Sequence, residues 1–215
     1  MSRYELVYFP MRGKAETSRL LLVAGGANWS NKTAQWPEEK DSMPFGQMPL
    51  LIEYNESGEE VIRLAQSHAI ERYLARKFGL AGSNEIEIAI LDSIIESIRD
   101  LHDAFIYYAR KAPEVEKAAH RETYLNTTLP NGLKYLARFL EKNGNNRYYV
   151  GNKLSYAELY LYVLVEFATT FEGPEFIKPY PELQRVVDLV QKHTGVKQYV
   201  DSPDRVPIFK PPAGK

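Results

Sequence analysis

The chain has 215 residues and a formal net charge of −1, with 27 lysine and arginine residues against 28 aspartate and glutamate residues. Its length allows one large domain or two small ones, and its composition, 44% hydrophobic and 26% charged, is typical of a globular protein. Balanced charge argues against nucleic-acid binding, because phosphate recognition depends on a surplus of basic side chains. The absence of cysteine excludes disulfides, a CxxC redox centre, thiolate metal sites and a cysteine nucleophile.

The start of the chain lacks the features of a targeting segment. Arg3 and Glu5 interrupt the apolar run that a secretory signal requires. The longest apolar runs, such as residues 159–165, are far shorter than the ~20 residues that cross a bilayer. We therefore expect a cytoplasmic protein without a membrane partner.

The first 80 residues predict a small α/β domain that covers residues 1–79. Apolar side chains alternate in the strand segments, and glycines follow the helical segments, where a left-handed residue is easily adopted. The predicted elements are a strand over 4–8, a helix from about Lys14 to the Gly25-Gly26 pair, an uncertain strand, a hairpin of strands 50–54 and 60–64, and a helix over 66–78.

Residues 84–215 predict an all-helical domain. Isoleucines at positions 86, 90, 94 and 98 recur every four residues and form a wide apolar stripe. Ser155 and Glu158 have the spacing of a capping box, which marks a helix start. At least four helices are expected, followed by a tail with prolines at 203, 207, 211 and 212 that we expect to be extended or loosely attached.

Common catalytic motifs are missing. The chain has no Walker loop, GxGxxG, HExxH, calcium loop or GxSxG motif. The histidines at 68, 102, 120 and 193 lack metal-ligand spacing, so we expect no metal site. Composition and periodicity alone thus indicate only an α/β domain followed by an α-helical one.

Four phrases in the first 80 residues are more specific. They are Tyr8-Phe9-Pro10-Met11-Arg12-Gly13-Lys14-Ala15-Glu16, Trp36-Pro37-Glu38-Glu39-Lys40, Pro44-Phe45-Gly46-Gln47-Met48-Pro49 and Gln66-Ser67. In this order and spacing they resemble the glutathione S-transferase family, and three of them are similar to its sigma class. The helical half agrees through Leu80-Ala81-Gly82 and Ser155-Tyr156-Ala157-Glu158. The resemblance covers nearly the whole chain.

The resemblance implies a thioredoxin-like N-terminal domain that binds glutathione, an all-helical domain that forms the second-substrate pocket, and a homodimer. Glutathione is then a co-substrate, and no other cofactor is expected. The catalytic tyrosine of the family corresponds to Tyr8. A hydroxyl that donates to sulfur favours the thiolate, which is the nucleophile. From the residues alone, Tyr8 could instead be one of 15 tyrosines facing a core.

The resemblance also implies a set of glutathione-binding residues. They are Tyr8, Lys14, Trp36, Lys40, Gln47, Met48, Pro49, Gln66, Ser67 and Asp100. In similar proteins the bond before Pro49 is cis and the Met48 backbone pairs with the cysteinyl unit. Gln66 and Ser67 open a helix whose N-terminus favours the γ-glutamyl carboxylate, although Ser67 could equally be a plain helix cap.

The remaining positions have weaker chemical support. Trp36 and Lys40 share a face if their segment is helical and would suit the glycyl carboxylate, although such residues commonly pack or are solvated. Lys14 stands where many sigma-class proteins have arginine, so it keeps the charge without the planar guanidinium. In similar dimers a carboxylate matching Asp100 reaches the partner's γ-glutamyl amine; otherwise it lies on a solvated helix face.

The second-substrate pocket is placed by resemblance at Phe9, Arg12 and Tyr107. The prostaglandin-isomerising relatives have tryptophan at the position of Tyr107, which favours broad conjugation to electrophiles, or peroxide reduction, over that isomerisation. A catalytically silent relative, such as a lens crystallin, is the alternative. A thioredoxin-type redox enzyme is excluded, because the chain has no cysteine.

Overall fold

The computed structural model describes residues 2–208, which form two compact units. The first unit contains residues 2–80 together with residues 192–208, and the second contains residues 81–191. The expected second domain, 84–215, differs from this division at its C-terminal end. The described part of that end packs with the first unit because of contacts that link residues far apart in the sequence.

A four-stranded sheet forms the centre of the first unit. Its strands are β1 (Arg3–Tyr8), β2 (Asn28–Thr33), β3 (Leu50–Tyr54) and β4 (Glu60–Ala65), in the order β2-β1-β3-β4. The β1 and β2 strands are parallel, and the other two pairs are antiparallel. The uncertain strand of the sequence is therefore β2, a mostly exposed edge strand.

Two helices of the first unit follow β1 and β4. They are α1 (Glu16–Ala24) and α2 (Ser67–Lys77). The leucines at 20, 21 and 22 in α1 are fully buried, as their apolar run predicts. This strand-helix-strand order followed by a hairpin and a helix is the thioredoxin-like arrangement that the resemblance implies.

The second unit is helical throughout its main elements. They are α3 (Glu85–Ile106), α4 (Glu114–Thr123), α5 (Leu129–Lys142), α6 (Tyr156–Glu172) and α7 (Pro181–Lys192). Ser155 and Glu158 form the predicted capping box at the start of α6. In the isoleucine stripe of α3, Ile94 and Ile98 are buried, whereas Ile86 is 73% exposed. Within residues 2–208, no helix has the length and apolar character needed to span a membrane.

The C-terminal segment returns to the first unit. It consists of α8 (Thr194–Val200) and an irregular stretch, described as far as residue 208, that includes a turn at 202–205. Helix α8 approaches α1 so closely that a Cβ atom on Gly195 would clash with the carbonyl oxygen of Val23 in α1. The side chain of Arg205 is only 5% exposed and pairs with Glu16. The tail was expected to be extended or loosely attached, but its described part contains a turn at 202–205 and is held to the first unit by the Arg205–Glu16 pair; Pro211 and Pro212 lie outside the described residues.

Candidate active site

Several of the predicted residues meet at one end of the sheet. In the strand register, Tyr8 at the end of β1 lies opposite Thr33 of β2, and Leu50 at the start of β3 lies opposite Ala65 of β4. Leu50 also pairs with Val7, the residue before Tyr8. The segment before Leu50 and the segment after Ala65 therefore leave the sheet beside Tyr8. These segments contain the predicted glutathione-binding residues at 47–49 and 66–67.

The Tyr8 hydroxyl lies against the loop that follows β1. The Tyr8 side chain is buried, and its oxygen accepts a hydrogen bond of 3.1 Å from the backbone N–H of Lys14. The Lys14 residue is exposed, so its contact with the hydroxyl is made by the main chain. A phenol group can both accept a hydrogen bond at its oxygen and donate one through its O–H. The arrangement is suited to holding a hydroxyl donor in a fixed position.

Gly13 makes this close approach possible. Its φ of +42° lies in the left-handed region, and a Cβ atom there would lie 2.8 Å from the Tyr8 hydroxyl oxygen. Any side chain would therefore displace either the loop or the phenol. Sequence reasoning quoted Gly13 only as part of a phrase and assigned it no role. A glycine between two charged residues, in the loop that follows a predicted strand, is the signal that could have identified it.

Aromatic rings continue from Tyr8 along the first unit. The Phe9 ring contacts the Tyr8 ring edge to face at a centroid distance of 5.4 Å and the Trp36 ring at 5.9 Å. Trp36 and Met48 are partly buried and pack against a hydrophobic cluster that includes residues of the sheet.

The segment from 36 to 42 contains the predicted Lys40. The exposed Lys40 begins a short 3-10 turn, where its backbone N–H donates to the carbonyl of Pro37 at 2.9 Å. The segment from 36 to 42 thus consists of tight turns rather than an α-helix.

The loop before β3 carries three of the predicted residues. Gln47 is exposed, Met48 is half-buried and Pro49 is buried. The Met48–Pro49 peptide bond is cis, as the resemblance implies. A second cis bond, Trp36–Pro37, lies in the same unit and was not predicted.

Gln66 and Ser67 lie where β4 passes into α2. Gln66 is the N-cap residue, with φ 74° and ψ 113°, a conformation that residues other than glycine rarely adopt, and its side chain makes no capping hydrogen bond. Ser67 is buried and is the first residue of the helix rather than its cap. The first-turn N–H groups of a helix without a side-chain cap can donate hydrogen bonds to an anionic group.

The remaining predicted residues, Arg12, Asp100 and Tyr107, make different contacts or lie on the second unit. The Nε of Arg12 donates to the carbonyl of Val206 at 3.0 Å, which connects its guanidinium with the C-terminal segment. Asp100 is exposed on α3 of the second unit. Tyr107 follows α3 in a π-helical turn, is 42% exposed and contacts the ring of His120 edge to face.

The described side chains do not form a cluster of metal-binding groups. Among residues 2–208, no group of three or more histidine, cysteine, aspartate or glutamate side chains lies close enough together to hold a metal ion. The polar groups at the end of the sheet include the Tyr8 phenol and the N–H groups at the start of α2, which suit an anionic peptide-like ligand.

Curated proteins similar to this chain support that interpretation. A family profile described as "Glutathione S-transferase, C-terminal domain" matches residues 99–203. Glutathione S-transferase 1 of Ascaris suum is 32% identical over 96% of this chain and 100% of its own length. Hematopoietic prostaglandin D synthase of Gallus gallus is 30% identical over 97% of this chain and 100% of its length. S-crystallin 4 of Enteroctopus dofleini is 28% identical over 95% and 99%.

Solved structures give the same result. The Pi-class glutathione S-transferase of Onchocerca volvulus superposes with a TM-score of 0.83 at 30% identity, over 96% of this chain and 97% of that one. The sigma-class enzyme of Fasciola hepatica gives 0.80 at 27% identity, over 93% and 95%. A monomeric glutathione S-transferase of Necator americanus gives 0.79 at 30% identity, over 94% and 97%.

The fold and the full-length similarity define an enzyme with a thioredoxin-like unit and a helical unit. The chain belongs to the glutathione S-transferase family.

Proposed function

We propose that this transferase activates the glutathione thiol as a thiolate through the Tyr8 hydroxyl and transfers it to electrophiles. The observation that carries the proposal is the buried Tyr8 phenol, held by the Lys14 amide at the end of the sheet. A free cysteine thiol ionises near pH ~8.5, so only a few per cent is thiolate at neutral pH. A hydroxyl that donates to sulfur lowers the thiol pKa because it stabilises the charged form.

The proposed position of glutathione follows the end of the sheet. The γ-glutamyl carboxylate binds at Ser67 and the first amides of α2, where Gln66 is held in a strained conformation. The backbone at Met48, beside Gln47 and Pro49, pairs with the cysteinyl unit. Two further residues, Trp36 and Lys40, bind the glycyl carboxylate, and the Lys14 ammonium adds positive charge near the sulfur.

The proposed electrophile pocket includes Phe9, Arg12 and Tyr107. The Phe9 ring lies directly against Tyr8, which would bring an apolar surface to the sulfur. Arg12 is held by the C-terminal segment, so we propose that its backbone and stem shape the pocket more than its charge does. The tyrosine at 107 supports broad conjugation or peroxide reduction, in a cytoplasmic detoxifying role of the sigma class, over prostaglandin isomerisation.

We further propose a homodimer in which Asp100 binds the γ-glutamyl amine of glutathione in the partner. Its exposure on α3 is consistent with such a role. One similar structure is of a monomeric enzyme, which makes the oligomeric state a direct test of this part of the proposal.

A catalytically silent protein is the alternative, since S-crystallins are among the similar proteins. The combination of Tyr8, the Gly13 contact, Gln66 and Ser67 supports catalysis, because a hydroxyl and an uncapped helix start at one end of the sheet suit the proposed roles of sulfur donor and carboxylate site. Turnover with a generic electrophile distinguishes the two functions.

The central experiment replaces Tyr8 by phenylalanine, which removes one oxygen and leaves the ring packing in place. We expect similar glutathione affinity, a conjugation rate lower by ~10² at neutral pH, and recovery of the rate as pH rises toward the free thiol value. The measurements are a pH profile of turnover and an ultraviolet titration of the bound thiolate. One thiol pKa and one rate for both proteins would mean that Tyr8 is a core tyrosine.

A further inference from the structure

A buried ionic cluster lies beside the loop that holds Tyr8. The Glu16 carboxylate at the start of α1 has no solvent exposure. One of its oxygens accepts from Arg19 Nη1 at 3.1 Å and from the Tyr199 hydroxyl at 3.0 Å. The other accepts from Arg205 Nε at 3.1 Å and Nη2 at 2.7 Å. One carboxylate therefore connects α1, α8 and the C-terminal stretch that follows α8.

The charges of this cluster depend on one another. The side chains of Arg19 and Arg205 are 1% and 5% exposed. Charged groups removed from water are tolerated only when paired, so each guanidinium requires Glu16, and Glu16 requires at least one of them. Arg19 also donates to the side-chain oxygen of Asn31 at 2.8 Å. The cluster is therefore a buried group with a defined geometry and differs from a mobile ion pair on the surface.

The cluster is connected to the Tyr8 loop on two sides. Arg19 Nη1 donates to the carbonyl of Arg12 at 3.1 Å. The backbone N–H of Arg12 donates to the carbonyl of Pro207 at 2.8 Å, and its Nε to the carbonyl of Val206 at 3.0 Å. Arg12 is therefore held between α1 and the C-terminal stretch.

This anchored residue is only two positions from the amide that binds Tyr8. Gly13 and Lys14 follow Arg12, and the Lys14 N–H donates to the Tyr8 hydroxyl. The guanidinium carbon of Arg19 also lies 6.0 Å from the centre of the Tyr8 ring. A shift of the Arg12 backbone would consequently move the Lys14 amide relative to the phenol.

We propose that residues 199–207, through Arg205, Glu16 and Arg19, position the loop at residues 12–14 and thereby the Tyr8 hydroxyl. Arg205 is then a positioning residue for thiolate formation, although it lies 189 residues from Glu16 in the sequence. The inference rests on the proposed function of Tyr8. A small displacement of a reacting group can lower a rate substantially, so the connection has a measurable consequence.

The test compares Arg205→Met and Arg205→Lys in the full-length protein. For Arg205→Met we expect kcat at neutral pH to fall by about tenfold, a glutathione KM within about twofold, and a raised pKa of the bound thiol. Lysine keeps the charge without the two-nitrogen contact and should recover part of the loss. Arg63→Met is the matched control, because Arg63 forms an exposed pair with Glu60 in β4 of the same unit.

A double-mutant cycle with Tyr8→Phe separates positioning from general destabilisation. If Arg205 acts through the Tyr8 hydroxyl, Arg205→Met will cause no further loss in a protein that lacks that hydroxyl. Equal losses in both backgrounds would overturn the proposal, as would a lowered melting temperature with a wild-type pH profile. A wild-type profile for Tyr8→Phe itself would overturn the function of Tyr8 and this inference with it.

A second variant tests the same connection if Arg205→Met does not yield folded protein. Tyr199→Phe removes only the hydroxyl that donates to Glu16 and keeps the ring beneath the Arg205 guanidinium. We expect a smaller shift of the thiol pKa in the same direction, absent in the Tyr8→Phe background. An unchanged thiol pKa in both Tyr199→Phe and Arg205→Lys would overturn the proposal.

Discussion

Gly13 and Tyr8 are in a contact that leaves no room for a side chain. A Cβ atom on Gly13 would lie 2.8 Å from the Tyr8 hydroxyl oxygen, and the next residue, Lys14, donates its N–H to that oxygen at 3.1 Å. The hydroxyl is thus held by the main chain of a loop whose conformation depends on glycine. This relationship makes Gly13 a second position from which the chemistry of Tyr8 can be changed.

We expect Gly13→Ala to reduce turnover while glutathione still binds. The methyl group would move the hydroxyl or the Lys14 amide, and misplacement of a reacting group can cost about 10²-fold in rate. The measurements are kcat, glutathione KM and the pKa of the bound thiol. We expect kcat to fall and the thiol pKa to rise, with a smaller change in KM.

Gly26→Ala is the matched control for this prediction. Gly26 also has a positive φ, +64°, but a Cβ atom there would have no neighbour within 4 Å. Both substitutions carry the backbone cost of a side chain in the left-handed region. If both variants lose activity equally, backbone strain explains the effect and the contact with Tyr8 does not.

The strands and helices with clear apolar periodicity were predicted well from the sequence. β3 has the predicted bounds, β4 extends one residue further than predicted, and the capping box at Ser155 starts α6. β2 remained uncertain because an exposed edge strand lacks an alternating apolar face. The π-helical turns Tyr107–Lys111 and Tyr124–Thr128 have no distinct sequence signal and were not predicted.

Long-range contacts explain what sequence reasoning missed near the site. The buried Glu16 carboxylate is paired with Arg205, which stands in the proline-containing tail that was expected to be extended or loosely attached. Charged residues are rarely fully buried unless paired, and a pair so distant in sequence has no local pattern. Likewise, the sequence suggested a role for the charged side chain of Lys14, whereas the contact with Tyr8 is made by the backbone N–H of Lys14.

We expect Ser67→Ala to weaken glutathione binding more than turnover at saturation. The proposed partner of Ser67 is a carboxylate whose charge does not change during the reaction, so its contribution is equal in the ground and transition states. Loss of a hydrogen bond to a charged group should raise the glutathione KM about tenfold or more. Steady-state kinetics at several glutathione concentrations provide the measurement.

Ser57→Ala serves as the control for Ser67, since Ser57 is exposed in the turn between β3 and β4. It should leave both kinetic constants unchanged. A wild-type glutathione KM in Ser67→Ala would argue against the carboxylate position proposed at the start of α2.

Glu158 should make the stability of the protein depend on pH. Burial raises the pKa of its carboxyl to about 7, even though the backbone N–H groups of Tyr149 and Ser155 donate to it. The folded state therefore holds this proton more tightly than the unfolded state, and the group's contribution to stability falls as pH rises from about 4.5 to about 7. The loss amounts to a few kcal/mol at most, with each pKa unit worth about 1.4 kcal/mol.

The comparison for this prediction is Glu158→Gln, which keeps a similar shape and cannot titrate. Urea unfolding at pH 5 and pH 8 should show that the stability of the wild type, relative to the variant, decreases at the higher pH. Parallel pH profiles for the two proteins would mean that Glu158 remains charged throughout this range when folded.

Asp100 provides a test of whether each active site uses two chains. If it binds the γ-glutamyl amine of glutathione in the partner, Asp100→Asn should raise the glutathione KM by about tenfold, because a charged hydrogen bond is lost. Asp103→Asn is the control, since Asp103 is also exposed and lies three residues further along α3. Sedimentation over a range of dilutions gives the dimer content. Glutathione affinity, measured at the same protein concentrations, should decrease as the dimer content falls.

A mixed dimer decides between action within one chain and action across two. One chain would contain Tyr8→Phe and the other Asp100→Asn, with different tags so that the heterodimer can be isolated. If Asp100 acts across the interface, one of the two sites combines Tyr8 of one chain with Asp100 of the other and has the wild-type glutathione KM. The second site contains both changes. If Asp100 acts within its own chain, neither site is intact. One site then has the raised glutathione KM of Asp100→Asn, and the other has the low rate of Tyr8→Phe.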